Sequence, residues 1–181
     1  MDVKAIVKRE TPLRYDDKGY LGIKVPGGRE VLKVTPYDRI LIVRKSGIWG
    51  VCDVADKLFV DSGMYYCNYA EKEIINKVLF TVIYRDPKTM LCYIKRCRIA
   101  GWIMNRDYNF APEGMEVLHV DTRESFTFKL KFVPKPRVKA TEMTLNAKDY
   151  EEKGLKAAGI RIDTHEIAEV EIENNGELFN E

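Results

Sequence analysis

The sequence predicts an all-β fold assembled from blades, and three observations predict it. An apolar strand, a tight polar turn and a second strand recur along the chain, with turns roughly 40 residues apart, the spacing at which multi-stranded blades repeat. The stretches between these hairpins also read as strands, broken by Gly, Pro and Asp, and helix is expected only in two short places. The chain has 181 residues and is 45 % hydrophobic, enough to bury a core without disulfide staples.

The elements follow in order. Residues 3–9 read as a first strand. Asp16-Asp17-Lys18-Gly19 is a turn, since Asp and Gly supply the dihedrals of a tight reversal. Strands are expected over 20–25, stopped by Pro26-Gly27-Gly28, and over 30–34, stopped by Thr35-Pro36. The first clear hairpin pairs 38–44 with 48–54 across Lys45-Ser46-Gly47. Residues 57–69 form strand, turn and strand, broken at Asp61-Ser62-Gly63, and 70–76 make one helical turn. A second hairpin pairs 77–84 with 90–99 across residues 85–89. A polar loop lies between Trp102 and Tyr108, and Ala111-Pro112-Glu113-Gly114 is a turn. A third hairpin is expected to pair 115–120 with 125–133, ended by Pro134 and Pro136. A short helix capped at Asn146 covers 147–152, followed by strands over 155–162 and 166–172.

Net charge is +2, but it is unevenly divided. Residues 1–140 hold 26 Lys and Arg against 17 Asp and Glu, whereas residues 141–181 hold 4 against 11. A basic body and an acidic end suggest a polyanionic partner, with an acidic segment (166–181) that competes for the same surface or serves to solubilise. Four cysteines without close Cys-x-x-Cys spacing and two distant histidines give no metal signature; they read as reduced, buried thiols of a cytosolic protein. No apolar run approaches the ~18 residues of a membrane span.

Three clusters of cations are candidate contacts for phosphate. Arg85 and Lys88 lie in the second hairpin turn, and Lys95, Arg96 and Arg98 follow on its second strand, where a period of two puts Arg96 and Arg98 on one face. Arg44 and Lys45 sit at the first hairpin tip. Lys129 and Lys131 alternate with Phe128, Leu130 and Phe132, and Lys135, Arg137 and Lys139 follow in the Pro-rich exit. Each cation that neutralises a phosphate releases counterions, the main source of nonspecific DNA affinity. Tyr65, Tyr66, Tyr69, Trp102 and Tyr108 read as core filling rather than base-stacking groups, because their neighbours are apolar. Pro26-Gly27-Gly28 lacks the Lys-Ser/Thr of a nucleotide loop and reads as a turn.

Lys18-Gly19-Tyr20-Leu21-Gly22, Tyr93-Ile94-Lys95-Arg96 and Lys153-Gly154-Leu155, in this order and spacing, resemble the C-terminal domain of the A subunit of bacterial type IIA topoisomerases. The likeness spans roughly residues 3–172 and is closer to the topoisomerase IV version of that domain than to the gyrase version. It implies a β-pinwheel, propeller-like with strands exchanged between neighbouring blades, over residues 1–165, followed by an acidic strand or tail over 166–181. At about 40 residues per blade it allows roughly four blades in an open or incomplete ring. It implies a non-catalytic module whose basic rim binds and bends duplex DNA and presents it to the strand-passage core. Its partners would be the B subunit of the topoisomerase and the breakage-reunion core of its own polypeptide, in the cytoplasm on the nucleoid. Magnesium and ATP belong to those other parts, so no cofactor is expected here, and the chain reads as a part of a longer polypeptide. The glycine-rich basic box of gyrase has only a poor counterpart in Lys24-Val25-Pro26-Gly27-Gly28-Arg29, which argues against tight wrapping. A bladed protein-interaction scaffold with a basic rim is the alternative, and a small β-rich enzyme finds no catalytic constellation to support it.

Overall fold

The computed structural model describes residues 7–137 and 139–173. In chain order the strands are β1 (Thr11–Tyr15), β2 (Tyr20–Gly22), β3 (Arg29–Val34), β4 (Arg39–Arg44), β5 (Ile48–Asp53), β6 (Leu58–Phe59), β7 (Met64–Tyr69), β8 (Phe80–Arg85), β9 (Cys92–Cys97), β10 (Tyr108–Asn109), β11 (Glu116–Asp121), β12 (Thr127–Phe132), β13 (Glu142–Asn146), β14 (Ile160–Arg161) and β15 (Ile167–Ile172). One helical turn, α1 (Lys72–Ile75), and one 3-10 turn (Ala147–Asp149) complete the described elements. The fold is all-β, with four antiparallel sheets that behave as blades, and none of them closes into a barrel.

One wiring rule generates the first three sheets. Two consecutive strands form a central hairpin, the next long strand adds to the first hairpin strand, and a two-residue strand from farther along the chain adds to the second. The sheet orders are β3-β1-β2-β6, β7-β4-β5-β10 and β11-β8-β9-β14. This loan of a short strand from a later segment is the exchange that distinguishes a pinwheel from a simple propeller. In the fourth sheet, β13-β12-β15, no strand is added to β13 among the described residues.

The chain forms two compact units. The first comprises Met1–Lys77 and Ile99–Asn109, and contains the first two sheets. Its core places Leu13, Tyr15 and Leu21 of the first sheet against Ile40, Ile42 and Met64 of the second. Buried Asp38 receives the Thr35 backbone N–H at 2.8 Å and the Arg9 guanidinium at 2.9 Å, and Arg9 also lies over the Tyr69 ring at 3.8 Å. At the first hairpin turn, Gly19 has φ +100°, and a Cβ there would sit 2.5 Å from the Asp61 carbonyl carbon. Only glycine fits both constraints.

The second unit comprises Val78–Arg98 and Phe110–Glu181, and contains the third and fourth sheets. Its core joins Ile83, Cys92 and Ile94 with Phe126, Phe128, Leu130 and Ile167. The fourth sheet alternates cleanly. Phe128, Leu130, Met143, Leu145, Val170 and Ile172 face the core, while Lys129, Lys131, Glu142, Thr144, Glu169 and Glu171 lie on the opposite, solvated face.

Four sequence expectations are corrected. Residues 115–120 and 125–133 do not pair with one another. β11 pairs with β8, and β12 pairs with β13 and β15. The connection lacks a Gly or Asn for a short reversal, and Asp121 instead caps the Arg123 backbone N–H at 2.8 Å. Residues 7–9 are not strand, and 3–6 fall outside the described residues; the first strand is β1, which tolerates Pro12 because β2 reaches only as far as Arg14. β2 stops at Gly22, since the Ile23 and Lys24 N–H groups turn to the Ala55 and Asp56 carbonyls. Of residues 155–162 only Ile160–Arg161 is strand. The helical turn after Ala70, the Asn146 cap, whose side chain accepts from the Lys148 N–H, and the strand over 167–172 stand as expected.

Candidate nucleic-acid interface

The cations of β9 are not a surface patch. Lys95 is 4 % exposed, and its Nζ donates to the Phe110 carbonyl at 3.0 Å and to the Leu155 carbonyl. Arg96 is 6 % exposed; its Nε donates to Thr81 Oγ1 at 3.0 Å and its terminal nitrogens to the Glu124 and Tyr150 carbonyls. Burial lowers the pKa of both groups, and backbone carbonyls take the place of water. Lys95 and Arg96, expected to contact phosphate, are instead internal struts that tie β9 to the segment after β10, the segment before β12 and the connection between β13 and β15. A period of two on a strand separates two faces, but here both faces are covered.

Arg85 is also an internal clamp. Its guanidinium holds Glu116 Oε2 at 2.8 Å, and NH1 donates to the Ile167 and Ala168 carbonyls at 2.8 Å each. Arg98 pairs with Glu152 at 2.9 Å. Arg44 donates to the Val60 carbonyl at 2.8 Å and lies 3.6 Å from Asp61 and 3.8 Å from Asp107. On β12, Lys131 pairs with Glu171 at 2.9 Å, and this carboxylate raises the ammonium pKa. Lys129 lies 4.0 Å from Glu173, and Lys135 pairs with Glu166 at 2.9 Å. The start of the acidic segment is thus a strand of the fourth sheet, laid beside the third basic cluster; residues 174–181 of the expected tail lie outside the described residues.

The remaining predicted cations share one structural address. Lys45 is exposed in the β4–β5 turn, Lys88 in the β8–β9 turn, and Arg137 in the β12–β13 loop, where its φ is +70°. The β1–β2 turn supplies an exposed Lys18, and the β12–β13 loop an exposed Lys139. Every central hairpin therefore ends in a turn with at least one exposed cation. In the first unit, two of these turns are joined by one segment: the Val60 and Asp61 N–H groups donate to the Gly19 carbonyl, and the Lys45 N–H to the Gly63 carbonyl. The second unit repeats the arrangement, with the Ile162 and Ile167 N–H groups on the Cys92 and Met90 carbonyls and the Val133 N–H on the Glu166 carbonyl.

The family model for the topoisomerase C-terminal domain, Bacteroidota, matches residues 12–174. The chain belongs to this topoisomerase C-terminal domain family. The match covers all four hairpin turns and every strand except the first residue of β1. Comparison with curated proteins and with solved structures finds no match.

In this topoisomerase domain the aromatics expected to be core are half-buried packing groups. Tyr108 stacks on Trp49 at 4.4 Å, Tyr69 hydrogen-bonds the Lys33 carbonyl at 2.7 Å, and Tyr66 accepts from Asn68 at 2.8 Å. Burial pushes the Cys52 and Cys97 thiols up to about 11 and the Cys67 and Cys92 thiols up to about 12, so all four are weakly nucleophilic. Among the described residues no group of three or more His, Cys, Asp or Glu is placed to hold a metal ion. No described helix is long and apolar enough to cross a membrane. Lys18 is the interface candidate missed from sequence. The signal was available, since it lies in a hairpin turn, as Lys45 and Lys88 do in later hairpins.

Proposed function

We propose that this chain is the non-catalytic DNA-binding and DNA-bending part of the A subunit of a type IIA topoisomerase, of the topoisomerase IV kind rather than the gyrase kind. One observation carries the reading: a member of the topoisomerase C-terminal domain family exposes a cation at the tip of each of its four central hairpins, at Lys18, Lys45, Lys88 and Arg137. Flexible cations on turns suit the phosphate track, which positions a duplex without reading its sequence. The chain then presents the bent duplex to the breakage-reunion core, which works with the B subunit on the cytoplasmic nucleoid. Cutting and ATP hydrolysis lie with those parts, and DNA binding by this chain needs neither magnesium nor ATP.

A gel shift on random-sequence duplex at two salt concentrations tests the reading. Binding that tolerates sequence and weakens steeply with salt supports it. A second reading, a protein-interaction scaffold, is favoured by Phe59, which is 59 % exposed and packs edge-on to Tyr20 at 5.3 Å. Absence of duplex binding at low salt would favour that alternative.

A further inference from the structure

The second unit contains a cleft of about 290 Å³ beside the β8–β9 turn, with Thr89, Lys135, Thr164, His165 and Glu166 in its walls. Its frame is fixed by backbone. The Ile167 N–H donates to the Met90 carbonyl at 2.7 Å, and the Val133 N–H donates to the Glu166 carbonyl at 2.9 Å. His165 is held in place by stacking on Phe132, with ring centroids 4.4 Å apart, and its Nδ1 lies 2.5 Å from Asp163 Oδ2. Nε2 is the second ring nitrogen, and it donates to an anion when the ring carries both protons. Lys135 Nζ is 2.9 Å from Glu166 Oε1, and both side chains are well exposed, at 50 % and 39 %. The lysine therefore already holds an anion, in a place that solvent reaches.

We propose that this cleft seats one backbone phosphate of duplex DNA, contacted by Lys135 and His165, and that the Glu166 carboxylate occupies Lys135 until the phosphate displaces it. The inference rests on the DNA-binding reading above and adds to it a specific site and a built-in competitor. The chemistry favours a phosphodiester. Two cation-capable side chains, Lys135 and His165, and the hydroxyl residues Thr89 and Thr164 line a space ample for a phosphate. The exchange replaces one ion pair by another, so the cost of releasing Glu166 is that of an exposed salt bridge.

Fluorescence anisotropy of a labelled random-sequence duplex, titrated with the full chain across a salt series, tests this. Glu166→Gln frees Lys135 and should tighten binding about two- to fivefold, the worth of an exposed ion pair expressed as a ratio. It should also steepen the slope of log K against log salt by up to about 0.9. Lys135→Ala and His165→Ala should each weaken binding at least about twofold, while Lys148→Ala, at an exposed lysine outside the cleft, should not. Thermal unfolding of each variant, unchanged by these surface substitutions, separates a lost contact from a lost fold. Unaltered affinity and slope in Glu166→Gln, with Lys135→Ala no worse than Lys148→Ala, would overturn the seat and leave the DNA-binding reading standing. A wild-type chain that binds no duplex at low salt would overturn both.

Discussion

Lys95→Met separates a structural lysine from a DNA contact. Methionine keeps the unbranched stem and most of the volume but removes the ammonium that bridges the Phe110 and Leu155 carbonyls. Two carbonyls then lose their donor inside the protein, at about 1–3 kcal/mol each. Part of this is offset, because burial already disfavours the charged lysine and lowers its pKa. The net expectation is a loss of about 2–4 kcal/mol. In urea unfolding with an m value of about 2 kcal/mol/M, the midpoint should fall by about 1–2 M with m unchanged. Duplex affinity, measured where the variant is still folded, should stay within about twofold of wild type, since a 4 %-exposed side chain presents nothing to a phosphate. An unchanged urea midpoint together with weakened, less salt-dependent DNA binding would refute the reasoning and return Lys95 to the surface.

Other substitutions test other parts of the fold. Gly19→Ala places a Cβ against the Asp61 backbone at positive φ, so the thermal midpoint of the first unit should drop, by an energy of about 2 kcal/mol or more. Arg85→Lys keeps the charge but cannot hold Glu116 while reaching the Ile167 and Ala168 carbonyls, and calorimetry should show a loss of about 1–3 kcal/mol. Burial alone would raise the Asp121 pKa, but hydrogen bonds from His119 and Arg123 more than offset it and hold the carboxyl well below the usual range. Its contribution to stability is therefore complete above about pH 4 and lost as pH falls through the depressed folded value. Asp121→Asn should accordingly lower stability at pH 7 and flatten its decline on acidification, as followed by circular dichroism.

The hairpin units were legible because their local chemistry is decisive. Lys45-Ser46-Gly47 and Asp16-Asp17-Lys18-Gly19 permit little but a reversal, and the apolar runs beside them need a sheet. The partner of β11 was not legible, because pairing of β11 with β8 is a long-range choice that no nearby residue dictates. The two-residue strands β6 and β14 fall inside segments that read as strand, but their sheet partners, and β10 altogether, are defined only by the sheets they complete, because two residues show no period. The site was half legible for a related reason. Alternation on β12 correctly separated Lys129 and Lys131 from the core, because one face of that sheet is solvated. The same rule misled on β9, where both faces are packed and Lys95 and Arg96 are satisfied by carbonyls distant in sequence. The charge split identified an acidic segment near the basic body, and the cross-strand partners of Lys129 and Lys131 in β15 are indeed Glu171 and Glu169.

The most direct test replaces Lys18, Lys45, Lys88 and Arg137 together by Ala and measures the salt dependence of duplex binding. If hairpin tips grip the phosphate track, the slope of log K against log salt should become shallower by about 3–4, and affinity should fall equally for unrelated sequences. A slope that does not move, or a loss confined to particular sequences, would contradict the account.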